Sequence, residues 1–177
     1  AAISPAGVKA AAELTDGFIP FFMDPNGFKV FEADINEGLE KAGNGKSLAE
    51  FEITPFCQVS MDEDIKKARR PISRNLAFYI GGMGAKDKNF YNDFCKRVGY
   101  PDAAVEIQDH FLAGRKKQAQ EAVPDQLVDK VALVGPKERI IDQLQDWKKA
   151  AKKNHVDSLL IKGASKTELR VIAEAVL

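Results

Sequence analysis

The sequence predicts an α/β fold of parallel βα units that amounts to about half of an eight-stranded (β/α)8 barrel, with a helical insertion after its Phe51–Ser60 strand. Three observations predict it. Phe18–Phe22 (FIPFF) is short, apolar and aromatic, as a strand covered on both faces of a parallel sheet would be. Phe51, Ile53, Pro55, Cys57 and Val59 alternate with Glu52, Thr54, Phe56, Gln58 and Ser60, a period-two strand pattern. Each strand is followed by a stretch of helical periodicity, and strands alternating with helices pair in parallel through right-handed crossovers. An open flavodoxin-like sheet is the alternative.

Ala1–Ile3 read as the end of a buried strand, and Ser4-Pro5 supplies an N-cap and a first-turn proline for a helix carrying Val8, Ala11, Ala12 and Thr15 on one face. Asp16-Gly17 is expected to end it. After FIPFF comes the polar turn Asp24-Pro25-Asn26-Gly27. Phe28, Phe31, Ile35, Leu39 and Ala42 then recur at helical spacing up to Gly43. Pro55 weakens the next strand because it lacks a ladder donor. Ser60 and Glu63 make a possible capping box for a helix with Ile65, Ala68, Ile72, Leu76 and Ile80 inside and a kink at Pro71.

Gly81, Gly82 and Gly84 interrupt this periodicity and read as a mobile joint that opens a helical excursion over about 79–125. Within and after it, Phe90, Phe94 and Val98 mark a helix closed by Gly99; Ala104, Ile107, Phe111 and Leu112 mark another; Leu127, Val128 and Val131 mark a third. Beyond VALVG (Val131–Gly135), Pro136 opens a helix with Ile140, Ile141, Leu144, Trp147 and Ala151 inside. Val156–Ile161 is the last predicted strand, and Ser165 with Glu168 forms a second capping box ahead of a final helix.

Twenty-six basic and 26 acidic residues cancel, so the charge balance gives no support to nucleic acid or an anionic membrane as partner. No apolar run approaches the ~18 residues of a membrane span. Cys57 and Cys95, with no CxxC spacing, read as buried free thiols suited to a reducing cytoplasm. His110 and His155 lack metal-ligand spacing, so no metal site is expected. Three helix starts could hold an anion through free backbone amides: Ser4-Pro5-Ala6-Gly7, Gly135-Pro136 and Gly163-Ala164-Ser165. In barrels the strand C-termini carry the ligand. Arg69, Arg70, Arg74, Lys148, Lys149, Lys152 and Lys153 are spaced as exposed helix faces.

AAISPAG (Ala1–Gly7), ELTDGFIPFF, YIGGMGAKDKNFYND (Tyr79–Asp93) and LVGPKERI (Leu133–Ile140) together resemble the bacterial-luciferase-like superfamily, and within it the coenzyme F420 (deazaflavin)-dependent oxidoreductases. The resemblance implies a barrel enzyme that passes a hydride between F420, or FMN in relatives, and a small organic substrate. It implies that Ala1, Ala2, Ile3, Ser4, Pro5 and Gly7 contact the cofactor's phosphate and linker, with Pro20, Phe21 and Phe22 nearby. Tyr79, Gly81, Gly82, Tyr91 and Asn92 become candidate substrate-pocket residues.

A barrel normally takes about 250 residues, so 177 residues are expected to be the C-terminal half of one, as a single partial domain, inactive without an N-terminal half-barrel. The acid–base positions of the family belong to that other half, and no catalytic residue is carried over. The alternative is a self-standing half-barrel that dimerises through its open edges and serves as a flavin-binding or structural protein.

Overall fold

The computed structural model describes residues 1–43 and 45–177. Ser4 is extended and its hydroxyl accepts the Gly7 N–H at 3.2 Å, starting helix α1 (Pro5–Leu14) as expected. The helix stops at Thr15, before Asp16-Gly17. Strand β1 (Gly17–Phe18) leads through an isolated bridge at Pro20 to α2 (Phe28–Ala42), which Gly43 ends at φ 66°. A 3-10 turn (Leu48–Glu50) with an unforeseen Ser47–Glu50 capping box precedes β2 (Glu52–Ile53) and β3 (Phe56–Met61). Helices α3 (Ile65–Gly82), α4 (Phe90–Arg97), α5 (Pro101–Leu112), α6 (Lys116–Glu121) and α7 (Asp125–Val131) follow. The chain closes with β4 (Ala132–Gly135), α8 (Lys137–Ala151), β5 (Leu160–Lys162) and α9 (Lys166–Val176).

Every described strand pair is parallel, as the alternation of strands and helices requires. β1 pairs with β2, while β3 lies between β4 and β5. The two sheets touch through the backbone: Phe56 N–H donates to Pro20 C=O at 3.2 Å and Leu160 N–H to Pro55 C=O at 2.9 Å. The Ala2–Pro20 bridge adds the chain start beside β1. The core runs from Val8 and Ala12 through Phe18, Phe31 and Ile53 to Leu133, Leu144 and Ile172, so that the helices cover the sheet with apolar faces. Cys57 and Val59 are buried on β3, whereas Phe56, Gln58 and Ser60 on the opposite face are only half-buried.

Several expectations are corrected. The strand read over Phe51–Ser60 is broken at Thr54-Pro55, where proline removes a ladder donor. The pairing of β3 with β4 carries it on to Met61, so Ser60 is not a cap. Asp64 caps α3 instead, accepting the Lys66 N–H at 2.9 Å. The last strand is only Leu160–Lys162.

The glycine joint is not a joint either. Gly81 and Gly82 complete the last turn of α3, where a Cβ on Gly81 would lie 2.5 Å from Phe111 Cβ and one on Gly82 2.3 Å from Phe111 Cε1. They let α3 and α5 approach closely. Past this helix, α4 to α7 follow in succession before the chain returns to the sheet at β4. Arg69 is not a free basic face: its guanidinium forks onto Asp129 at 2.6 and 2.9 Å and reaches Asp125 at 2.6 Å. Cys57 and Cys95 are free and buried, and burial pushes both thiols up to about 12, leaving them protonated and inert.

Candidate functional site

The strand expected over Phe18–Phe22 ends at Phe18, and past the isolated bridge at Pro20 two phenylalanines diverge from its line. Phe22 adopts φ 56°, a left-handed conformation costly for a bulky side chain, which is tolerated where surrounding packing fixes it. Phe21 stays half-buried and becomes the hub of an aromatic cluster. Its ring lies 5.3 Å from Phe22, 4.9 Å from Phe56, 5.0 Å from Tyr79 and 5.6 Å from Tyr91. Tyr79 and Tyr91 are themselves 4.8 Å apart at 63°, an edge-to-face arrangement. Burial, with Tyr79 adding to it, holds the Tyr91 phenol above its ordinary range, so it remains a proton donor.

Two asparagines lock the excursion onto this cluster. Asn89 caps α4 by accepting the Tyr91 and Asn92 N–H groups, and its amide donates to the Tyr79 and Ile80 carbonyls, both at 2.9 Å. Asn92, 2% exposed, donates to Ile80 C=O at 3.2 Å and Ala104 C=O at 2.6 Å. The bonds to Tyr79 and Ile80 satisfy carbonyls left open at the end of α3, and the bond to Ala104 ties α4 to α5. Asn92 is thus a structural clasp, and Gly81 and Gly82 belong to the α3–α5 contact. Of the five proposed pocket residues, the structure sets Tyr79 and Tyr91 with Phe21 and Phe22.

The segment Ala1–Gly7 lies within reach of the same excursion. Arg97, at the end of α4, donates to Ile3 C=O at 2.7 Å, one residue before the Ser4 cap. Neither Arg97 nor Asn89 was picked out from the sequence; Asn89 carried a signal as a polar residue heading a helix. Ile3 and Pro20 turn into the core, so their side chains serve packing, and Pro20 C=O is spent on Phe56. At Gly7, whose N–H the Ser4 hydroxyl already caps, a Cβ would sit 3.1 Å from Ser4 Oγ, and its absence leaves space beside that cap. That opening, next to a guanidinium, suits an anionic group.

The other two helix starts differ. α8 has Pro136 as its cap with no side-chain bond. At α9 the position is filled from within: the Glu168 carboxylate accepts the Ser165 N–H at 2.6 Å and the Met61 N–H at 2.7 Å, completing the expected capping box. Burial opposes charge on Glu168, but the bonds from Ser165 and Met61 outweigh it and hold its pKa below the ordinary value. A lowered carboxylate pKa stabilises the fold fully above the unfolded value, about 4.3, and the contribution is lost as pH falls through the folded value. Glu168→Gln is therefore expected to lower thermal stability at neutral pH and to flatten its decline between pH 5 and 3, as read by melting curves. An unchanged acid limb would refute this.

Among the described residues no group of His, Cys, Asp and Glu is arranged to hold a metal ion, and no helix is long and apolar enough to cross a membrane. A wider surface groove containing Phe28, Trp147 and His155 shares no residue with the aromatic cluster.

Parallel βα units with helices packed over them and an aromatic cluster beyond β1 define an α/β protein. The chain belongs to the luciferase-like monooxygenase family, whose sequence profile matches residues 1–152. It is 34% identical over 172 residues to a Mycobacterium tuberculosis protein assigned to the coenzyme F420-dependent oxidoreductases, covering 97% of this chain and 48% of that one. To 5,10-methylenetetrahydromethanopterin reductase of Archaeoglobus fulgidus it is 25% identical over 178 residues, 98% of this chain and 51% of that one. The solved coenzyme F420-dependent tetrahydromethanopterin reductase from Methanopyrus kandleri superposes with a TM-score of 0.69 at 22% identity, covering 97% of this chain and 46% of that one. The α/β fold is thus that of luciferase-like F420-dependent enzymes, and the chain spans about half the length of the relatives it matches.

Proposed function

We propose that this chain forms the C-terminal half-barrel of an F420-dependent oxidoreductase, acting with a complementary half-barrel that covers its open sheet face. The observation that carries this reading is the convergence of Phe21, Phe22, Tyr79 and Tyr91 at the end of β1, with the open helix start at Ser4–Gly7 tied to the same excursion by Arg97. The start of α1 would hold the cofactor's phosphate and linker, with Ala1, Ala2 and Pro5 beside it, while the aromatic cluster flanks the ring. When bound, F420 supplies or accepts a hydride; FMN is the alternative carrier. The residues of this chain bind, orient and exclude water, and proton transfer is left to groups outside it. The half-exposed Phe56 and Leu160 give the complementary half, or a second copy of this chain, an apolar surface to cover.

Titration of the 177-residue chain with F420, followed by cofactor fluorescence, is expected to show saturable but weak binding, with FMN weaker still. Gly7→Val, which fills the helix start, is expected to weaken F420 binding about tenfold, the size of one lost charge-assisted contact. No saturable binding would overturn the cofactor assignment. Tight binding with turnover by this chain alone would overturn the need for a second half.

A further inference from the structure

The last two helices share an apolar face unevenly. α8 buries Leu144 and Trp147, while Ala151, one turn past Trp147, stays exposed. α9 is fastened at its first turn, where Glu168 accepts the Met61 N–H, and it buries only Val171 and Ile172; near its far end Val176 is 42% exposed. A helix seated at one end leaves space under the other. A cavity of about 350 Å³ opens between α8, α9 and the segment leading into β5, walled by Leu144, Trp147, Val156, Ile161, Ile172 and Val176. It shares no residue with the aromatic cluster of Phe21, Phe22, Tyr79 and Tyr91, and its volume falls among those of small-molecule sites, roughly 300–1,000 Å³.

The polar groups on its rim are not equally available. The Asp157 carboxylate accepts the Ile53 N–H at 2.7 Å, and the Ser158 hydroxyl meets Thr54 Oγ1 at 2.9 Å and Glu52 Oε1 at 3.3 Å, so both residues are engaged with β2 and its end. Lys149, beside the cavity on α8, pairs with Asp146 at 2.8 Å. Lys148, which lines the cavity, is half-buried and makes no hydrogen bond or ion pair among the described residues. Its methylene stem can lie along the apolar wall with the ammonium at the mouth. Walls with few polar partners hold water poorly and favour an apolar body, and an uncommitted ammonium at the edge favours an anionic head.

We propose that the cavity between α8 and α9 binds an unbranched aliphatic carboxylate of medium chain length, its chain along Trp147 and Ile172 and its carboxylate on Lys148 Nζ. The site lies apart from the one assigned to F420 and stands independently of that assignment. Apolar burial supplies the affinity, and Lys148 distinguishes an acid from a neutral molecule of the same length.

Trp147 is the protein's single tryptophan, so its emission reports on the cavity. Titration of the 177-residue chain with octanoate is expected to change that emission saturably, with a Kd of about 1 mM or tighter. Hexanoate should bind more weakly by about fourfold for each methylene removed, the factor that burial of one CH₂ contributes. Pairing with a surface lysine alone would show no dependence on chain length. Octanamide, which lacks the charge, should bind about fivefold more weakly than octanoate. Lys148→Met is expected to erase the difference between acid and amide while keeping the dependence on chain length. Ala151→Leu, at an exposed helix position that tolerates a larger side chain, should fill the cavity and weaken both ligands without lowering the melting temperature. No saturable change in emission, equal affinity for hexanoate and octanoate, equal affinity for acid and amide, an undiminished difference in Lys148→Met, or unchanged binding in Ala151→Leu would each overturn the site.

Discussion

Phe31→Ala is expected to destabilise the protein by about 3–5 kcal/mol, the range for truncating a fully buried phenylalanine. Phe31 is 0% exposed and sits in a column of rings. It meets Phe18 edge-on at 5.6 Å and stacks on Phe94 at 5.4 Å, while Phe18 stacks in turn on Phe51 at 5.8 Å. The column joins the strand layer, α2 and the excursion helix α4 through one side chain. No small residue beside it can expand to refill the space, because interiors relax only partly around a cavity. The loss should therefore extend beyond stability. Without its stack on Phe31, α4 is expected to loosen, and with it the Arg97 bond to Ile3 C=O and the seat of Tyr91. Urea unfolding gives the first quantity, and amide exchange along Phe90–Arg97 gives the second. A loss below about 1.5 kcal/mol, the range of a volume-conserving apolar swap, would show that the column is not continuous. Unchanged exchange in α4 would show that the excursion is held elsewhere.

What could be read from the sequence divides by the range of the interaction responsible. The Ser4-Pro5 start, the Gly43 stop and the Ser165–Glu168 capping box are settled within four residues, and each appears in the structure. The Ser60–Glu63 pattern is as good a local signal, yet it fails because pairing with β4 extends the strand to Met61 and leaves Ser60 no helix to cap. Tertiary pairing overrides local preference there. Asn92 is similar: a polar residue near two tyrosines suggested a pocket, but its amide is claimed by Ile80 and Ala104, and nothing in the adjacent sequence announces either carbonyl. The resemblance assigned Phe21 and Phe22 to the cofactor and Tyr79 and Tyr91 to a substrate pocket; that the four rings meet is visible only in the structure, since neither periodicity nor spacing links positions nearly sixty residues apart. The pairing of Gln58 with Lys162 is hidden for the same reason. Their juxtaposition depends on strand register, and a one-residue slip would turn both to the other face of the sheet.

The glycine pair at the end of α3 turns that ambiguity into a measurement. Gly81→Ala is expected to cost about 2–3 kcal/mol through overpacking, lowering the melting temperature by about 5–10 °C for a chain of this size. A flexible joint requires the opposite sign, because alanine narrows the unfolded ensemble and favours helix, stabilising by about 0.4–1 kcal/mol. The two positions should also respond differently to a change at Phe111. At Gly81 the new methyl would lie 2.5 Å from Phe111 Cβ and 3.1 Å from Ile107 C=O, atoms fixed to or close to the backbone. At Gly82 its nearest neighbours are the ring atoms Cε1 at 2.3 Å and Cζ at 2.8 Å, which rotation or truncation can remove. Phe111→Ala is therefore expected to abolish most of the cost of Gly82→Ala and little of the cost of Gly81→Ala, as a double-mutant cycle would show. Equal relief at both positions would mean that α3 and α5 slide apart as rigid bodies. A stabilising Gly81→Ala would restore the joint.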